Sequence, residues 1–161
     1  MHVFTAEEVR RFFFDQGIDK EIHTFEESTE NAYLAARALG VQLGQIVKSI
    51  LFLADGEPVL ILMSGDMNVH NKKLKKLLGA RKVKIADSQT VLAATGYEVG
   101  GVPPVAHRQK IPVYLDKSLE RFSEIYPAAG AANNMFATTF QELAGLTGAE
   151  IVEVATPKKK T

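Results

Sequence analysis

Residues 45–66 read QIVKSILFLADGEPVLILMSGD. Two apolar runs flank Asp55-Gly56, the pair of residues that most readily takes the positive φ angles of a tight hairpin turn. A two-residue turn there fixes the register, so that facing positions sum to 111 and Lys48 lies opposite Met63. Side chains alternate faces along a strand. Ile46, Lys48, Ile50 and Phe52 therefore share one face, and Val47, Ser49, Leu51 and Leu53 share the other. Both faces are apolar, as in a central strand covered on both sides. A chain with this hairpin must build layers on either side of it.

The rest of the chain supplies those layers. Thr5 is placed to cap a helix over residues 6–16, with Glu7 and Glu8 in its first turn and Gly17 beyond its end. Thr29 is placed to cap a second helix over 30–39, which Gly40 stops. Residues 69–78 form a basic amphipathic helix ending at Gly79, and Asp87 caps another that runs to about Thr95. A short helix is expected over 140–144. Strands are expected within EIHTFEE, KVKIA, IPVYLD, FSEIYPA, MFATT and EIVEVA. Helices and strands interleave irregularly around a hairpin, which predicts an α+β fold: a mixed, curled sheet surrounded by helices. Neither a repeat nor a linker interrupts the pattern. One domain is expected over 1–155, with a basic tail over 156–161.

At 161 residues and 46% hydrophobic content, the chain has enough apolar surface for one core. Nothing reads as a membrane span or as a secretory leader, so the cytoplasm is the expected location. Without cysteine there is no thiol nucleophile, disulfide or thiolate metal site. The four histidines, His2, His23, His70 and His107, lack metal-ligand spacing, so neither a metal nor a cofactor is expected. The net charge is zero but segregated. Residues 71–86, NKKLKKLLGARKVKIA, carry lysines and arginine with no acid, and the first thirty residues are acidic. Such a split suits either a solvated helix face or an anionic partner.

Lys48 stands out because its strand is apolar. Burying an unpaired ammonium costs several kcal/mol or lowers its pKa by up to about 3–5 units. It requires a partner or a task, and the hairpin register puts Ser64, Gly65 and Asp66 near its end of the sheet. An ion pair with Asp66 at a pocket mouth is the expectation. Ser49 points to the opposite face and cannot form a dyad with Lys48. There is no nucleophile elbow at Ser64. A second unusual stretch is GYEVGGVPPVAH, residues 96–107. Gly100, Gly101 and Val102 carry backbone N–H groups, and Pro103 and Pro104 stiffen the chain after them. Such a loop can offer preorganised donors to a carbonyl oxygen or a phosphate, or it can serve as a structural turn.

Taken with IHTFEE, VKSILF, SGDMNVHNKKLKKLLGARKVKIAD, TGYEVGGVPP and YPAAG, these features resemble the YbaK-type aminoacyl-tRNA deacylases, which are similar to the editing domain of bacterial prolyl-tRNA synthetases. The resemblance covers residues 23–150. It implies hydrolysis of the ester that joins a wrong amino acid to the 3′ end of a tRNA, with water attacking and the tRNA's own ribose hydroxyl assisting. By motif, Lys48 matches the required lysine, residues 100–104 the Gly-x-x-x-Pro loop, and Asp66 the acid of the Gly-Asp pair. Gly100, Gly101, Val102 and Pro104 are thus expected beside Lys48 in catalysis. Ser64, Asp66, His107, Ala129 and Gly130 are expected to line the substrate pocket. Lys72, Lys73, Lys76 and Arg81 would meet the tRNA, through counterion release. The implied substrate is tRNA for proline carrying cysteine or alanine, met alone or with a prolyl-tRNA synthetase as partner. Two alternatives remain at this point: a non-catalytic module sensing an aminoacyl end or an amino acid, and a structural RNA-binding domain.

Overall fold

The computed structural model describes residues 2–158. In chain order its elements are α1 (Ala6–Asp15), β1 (Ile22–Thr24), α2 (Ala32–Leu39), β2 (Ile46–Ala54), β3 (Glu57–Ser64), β4 (Met67–Val69), α3 (Asn71–Leu78), β5 (Val83–Ile85), α4 (Ser88–Thr95), β6 (Val113–Asp116), β7 (Tyr126–Pro127), β8 (Asn134–Phe136), α5 (Phe140–Thr147), β9 (Glu150–Val152) and β10 (Ala155–Pro157). Short 3-10 turns span Leu43–Gln45 and Lys117–Arg121.

The hairpin is the centre of the molecule. Asp55 and Gly56 both have positive φ, at 49° and 86°, as a tight primed turn demands. Lys48 faces Met63, and the register runs on to Ala54 opposite Glu57. The Asp55 carboxylate accepts backbone N–H bonds from Arg81 and Lys82, tying the turn to the start of β5. On its far edge β3 pairs parallel with β6, and β6 pairs parallel with β9. The outer edge of β2 is shared. β5 pairs antiparallel with Phe52, Leu53 and Ala54, and β7 pairs parallel with Ile46 and Val47. Among the described residues no strand is registered against residues 48–51 on that edge. The sheet is therefore mixed, and helices cover it, as the pattern of elements predicts.

Each face of β2 enters a separate apolar layer. Val47 and Leu51 join Leu60, Leu62 and side chains from α1, α4 and α5. Phe52 joins Ile61, Met63, Leu74 of α3, and Val152 and Val154. α2 lays Ala32, Ala35 and Ala36 on Ile46 and Met135. Burial on both faces is what makes Lys48 costly there.

Local corrections arise from tertiary contacts. Asn31 rather than Thr29 caps α2, its side chain accepting the Leu34 N–H at 2.9 Å. Thr29 is buried and donates instead to the Ala132 carbonyl at 3.2 Å. Val69 belongs to β4, so the basic helix starts at Asn71, and α5 continues to Thr147. The stretch expected to be a tail begins as structure: β10 pairs antiparallel with β4, with Thr156 opposite Asn68 and Pro157 opposite Met67. Residues 159–161 lie outside the described residues. Among the described residues no helix is long and apolar enough to cross a membrane.

Candidate active site

Residues Ile46 to Ser49 of β2 form the floor of a cavity of about 280 Å³. Lys48 and Ser49 both reach it because the gap between β5 and β7 opens the edge of the strand as well as its faces. The first residues of α2 and those before it, from Thr29 to Ala32, form one wall, and Val99, Gly100 and Val102 form another. Ala35, Tyr126, Ala128, Met135 and Lys158 complete the lining.

Lys48 is half-buried, and its ammonium donates to the Met67 carbonyl and, at 3.5 Å, to Asn68 Oδ1. Both acceptors lie on β4. Burial, followed by the charge of Lys158, lowers its pKa from the ordinary lysine value to about 8, and Asp66 opposes that shift. The expected ion pair with Asp66 is corrected by this geometry. Asp66 accepts two bonds from Arg121, from Nη1 at 3.1 Å and from Nη2 at 2.7 Å. That guanidinium, first of all, holds the Asp66 carboxyl below the usual range. Ser64 is fully buried in the same network, against the Gly44 carbonyl and accepting from Arg121 Nη2 at 2.9 Å. Ser64 and Asp66 therefore brace the turn that leads into β4, and they reach Lys48 only through it.

The glycine-proline loop divides into parts. Gly100, with φ at 92°, lines the cavity, and a Cβ there would stand 3.0 Å from that of Glu30. Val102 lines it too. The Gly101 N–H is spent on the Glu98 carbonyl and its own carbonyl accepts from Gly130, both at 3.0 Å. A Cβ on Gly101 would come within 2.9 Å of the Ala131 backbone. Gly101 is thus the clasp that closes the loop onto the next segment. Pro104 and His107 lie on a different cleft, with Phe12, Arg108 and Leu146. His107 Nε2 contacts the Pro103 carbonyl at 2.7 Å, and burial lowers its pKa. Both fix the loop's return and stand away from the cavity.

The small-residue turn is displaced by one residue from its expected place. Ala128 lines the cavity, whereas Ala129 is fully buried in the main core. Gly130, with φ at 104°, packs on the Thr5 and Ala6 backbone. The side chains of Lys72, Lys73, Lys76 and Arg81 are exposed. α3 comes directly after β4, so this basic face begins next to the strand that holds the Lys48 ammonium.

Sequence reasoning missed several residues. Arg121 competes for Asp66 from 55 positions away. Ser49 has a buried hydroxyl without a hydrogen-bond partner among the described residues. Glu30 brings the only carboxylate to the described lining, and Lys158 a second ammonium. Of these, only Lys158 carried a signal in the sequence, as the first of the tail's lysines.

Comparison with known proteins places this geometry. The model of the aminoacyl-tRNA editing domain matches residues 26–146. The protein YwhH of Bacillus subtilis (strain 168) is 37% identical over 136 residues, covering 84% of this chain and 86% of its own. EbsC of Enterococcus faecalis (strain ATCC 700802 / V583), a proposed Cys-tRNA(Pro)/Cys-tRNA(Cys) deacylase, is 28% identical over 127 residues, covering 78% of this chain and 77% of its own. A crystal structure of a proposed trans-editing enzyme for prolyl-tRNA synthetase superposes with a TM-score of 0.88 at 34% identity, covering 94% of this chain and 96% of that one. The family match, the shared fold and the glycine loop facing a constrained lysine lead to one conclusion: this chain belongs to the aminoacyl-tRNA editing domain family and is an aminoacyl-tRNA deacylase.

Proposed function

We propose that the protein edits in trans, hydrolysing the ester of tRNA for proline that carries cysteine or alanine. The observation that carries this reading is the convergence of Lys48, Gly100 and Val102 on one cavity with small apolar walls. Ala32, Ala35, Ile46, Val47 and Ala128 suit a small side chain. The two side chains differ by a single sulfur, an increment comparable to the methylene that is worth only about 1–3 kcal/mol in an apolar pocket, so both amino acids fit it. EbsC, with cysteine on tRNA for proline in its name, supports the choice of substrate.

Loop donors at Gly100 and Val102 are suited to the ester carbonyl or the terminal ribose, where fixed dipoles stabilise developing charge without reorganisation. The Lys48 ammonium adds positive charge at the same place. Glu30 is suited to the α-ammonium of the aminoacyl group. The described lining holds no histidine, and Ser49 has no base within hydrogen-bond reach among the described residues. Water is therefore the nucleophile, aided by the tRNA's ribose hydroxyl. Lys72, Lys73, Lys76 and Arg81 meet the acceptor stem, and a prolyl-tRNA synthetase is the partner that would hand over the substrate.

The test is deacylation of tRNA for proline carrying cysteine, alanine or proline, by wild type and Lys48→Ala. Lysine-dependent release of cysteine or alanine is expected, with proline retained. Tight binding without release would make the protein a sensor of aminoacyl ends and overturn the reading.

A further inference from the structure

The second ammonium in the cavity, that of Lys158, has no hydrogen-bond or ion-pair partner among the described residues. β10 pairs with β4 through residues 155–157, and the Lys158 N–H continues that ladder to the Asp66 carbonyl at 3.4 Å. In this register Lys158 stands opposite Asp66 and Thr156 opposite Asn68, so the side chains of 66, 68, 156 and 158 share one face. Asn68 is also a residue that receives the Lys48 ammonium. The face of the β4–β10 ribbon thereby brings Lys158 to the cavity that holds Lys48. The nearest carboxylates do not neutralise the pair. Asp66 is committed to Arg121, and Glu30, packed against Gly100, forms no ion pair with either lysine among the described residues.

Two like charges converging on one cavity repel unless an anion joins them. An aminoacylated 3′ end brings such an anion. The phosphate nearest the ester is the one on the 5′ side of the same terminal nucleotide, so a cavity that takes the ester meets that phosphate at its mouth. We propose that Lys158 and Lys48 together seat this phosphodiester, with Lys158 a substrate-binding residue supplied by the β10 segment. This rests on the reading of the cavity as an aminoacyl-ester site. The geometry gives the two lysines unequal duties. Lys48 is fixed by β4 and sits deeper, and Lys158 lies at the edge of the ribbon and adds charge. The charge of Lys158 lowers the Lys48 pKa, as follows from two ammoniums set at one cavity.

The experiment compares wild type, Lys158→Ala and Lys158→Arg, with the rest of the chain unchanged. Two substrates serve: an aminoacylated acceptor minihelix for turnover, and the same minihelix uncharged for binding. For Lys158→Ala, KM and the uncharged-minihelix Kd rise by roughly tenfold, as for loss of one charge-assisted contact. kcat changes less than about twofold, and Lys158→Arg restores binding. The slope of log K against log salt becomes shallower by about 0.7, one phosphate of a single-stranded end. The Lys48 ammonium, followed by NMR, titrates at higher pH in Lys158→Ala, since a repelling charge has gone. Unchanged KM, Kd, salt slope and Lys48 titration in a variant that still turns over would overturn the proposal and leave the deacylase reading standing. Lys158-dependent minihelix binding by a wild type that hydrolyses no ester would do the reverse.

Discussion

Lys48 is where burial and the proposed function meet most openly. Its ammonium is held by Met67 and Asn68 rather than by a carboxylate, and its pKa is lowered to about 8. If the charged form stabilises the developing oxyanion, turnover corrected for spontaneous ester hydrolysis declines as pH rises through about 8. Lys48→Ala is expected to reduce turnover by about 10²–10³, the effect of removing one preorganised charge donor. The stability effect has the opposite sign. The unfolded lysine keeps the ordinary value of 10.5, so between about 8 and 10.5 the unfolded chain binds more protons than the native one. Native stability therefore rises with pH across that window, and below it the buried charge is a fixed cost. Lys48→Met is expected to raise Tm at pH 7 by about 2–4 °C per kcal/mol of strain relieved, measured by calorimetry. Asp66 behaves in the ordinary acidic sense. Its carboxyl is lowered by Arg121, so its contribution is present above the usual carboxylate range and is lost as pH falls below it. Ser49 adds a third case. A buried hydroxyl without a partner costs about 1–3 kcal/mol. Ser49→Ala should leave the free protein at least as stable in urea while changing the relative rates on cysteinyl and alanyl esters. Equal loss on both esters with lower stability would assign the hydroxyl to packing.

At the level of elements, what the sequence disclosed depended on distance along the chain. The hairpin register was legible because a two-residue turn allows only one pairing, and Lys48 opposite Met63 came from counting. Helix ends marked by glycine were legible for the same local reason, at Gly40 and Gly79. The choice between Thr29 and Asn31 as the cap of α2 was not, since both can cap and only the contact with Ala132 removes Thr29. Arg121 taking Asp66 is a contact across 55 positions, which no local pattern encodes. The glycine loop was legible as an element, but not in its division of labour. Gly101 was expected to offer a donor, and its N–H closes the loop instead. Gly101→Ala is therefore expected to cost about 1–3 kcal/mol, by forcing its methyl group into the Ala131 backbone. Activity should fall with it, as Gly100 and Val102 shift. Urea denaturation alongside turnover checks both, and a fully active, equally stable variant would contradict the clasp.

Across the whole molecule, the cavity draws on segments from Thr29 to Lys158 and owes its existence to incomplete pairing. β5 and β7 occupy the same edge of β2 at opposite ends and leave residues 48–51 between them. The mixed topology was predictable from irregular alternation of helices and strands. That two short strands would divide one edge was not, because neither is long enough to announce its partner. This origin has a consequence for how the site can change over generations. A strand lengthens or shortens by whole residues, about 3.3 Å each, so the opening between β5 and β7 has only a few permitted widths. One added pair at either end would narrow it by a whole step, and four would close it. Inheritance can therefore adjust substrate size coarsely by strand length and finely by the side chains of the floor, and these two adjustments can be made independently.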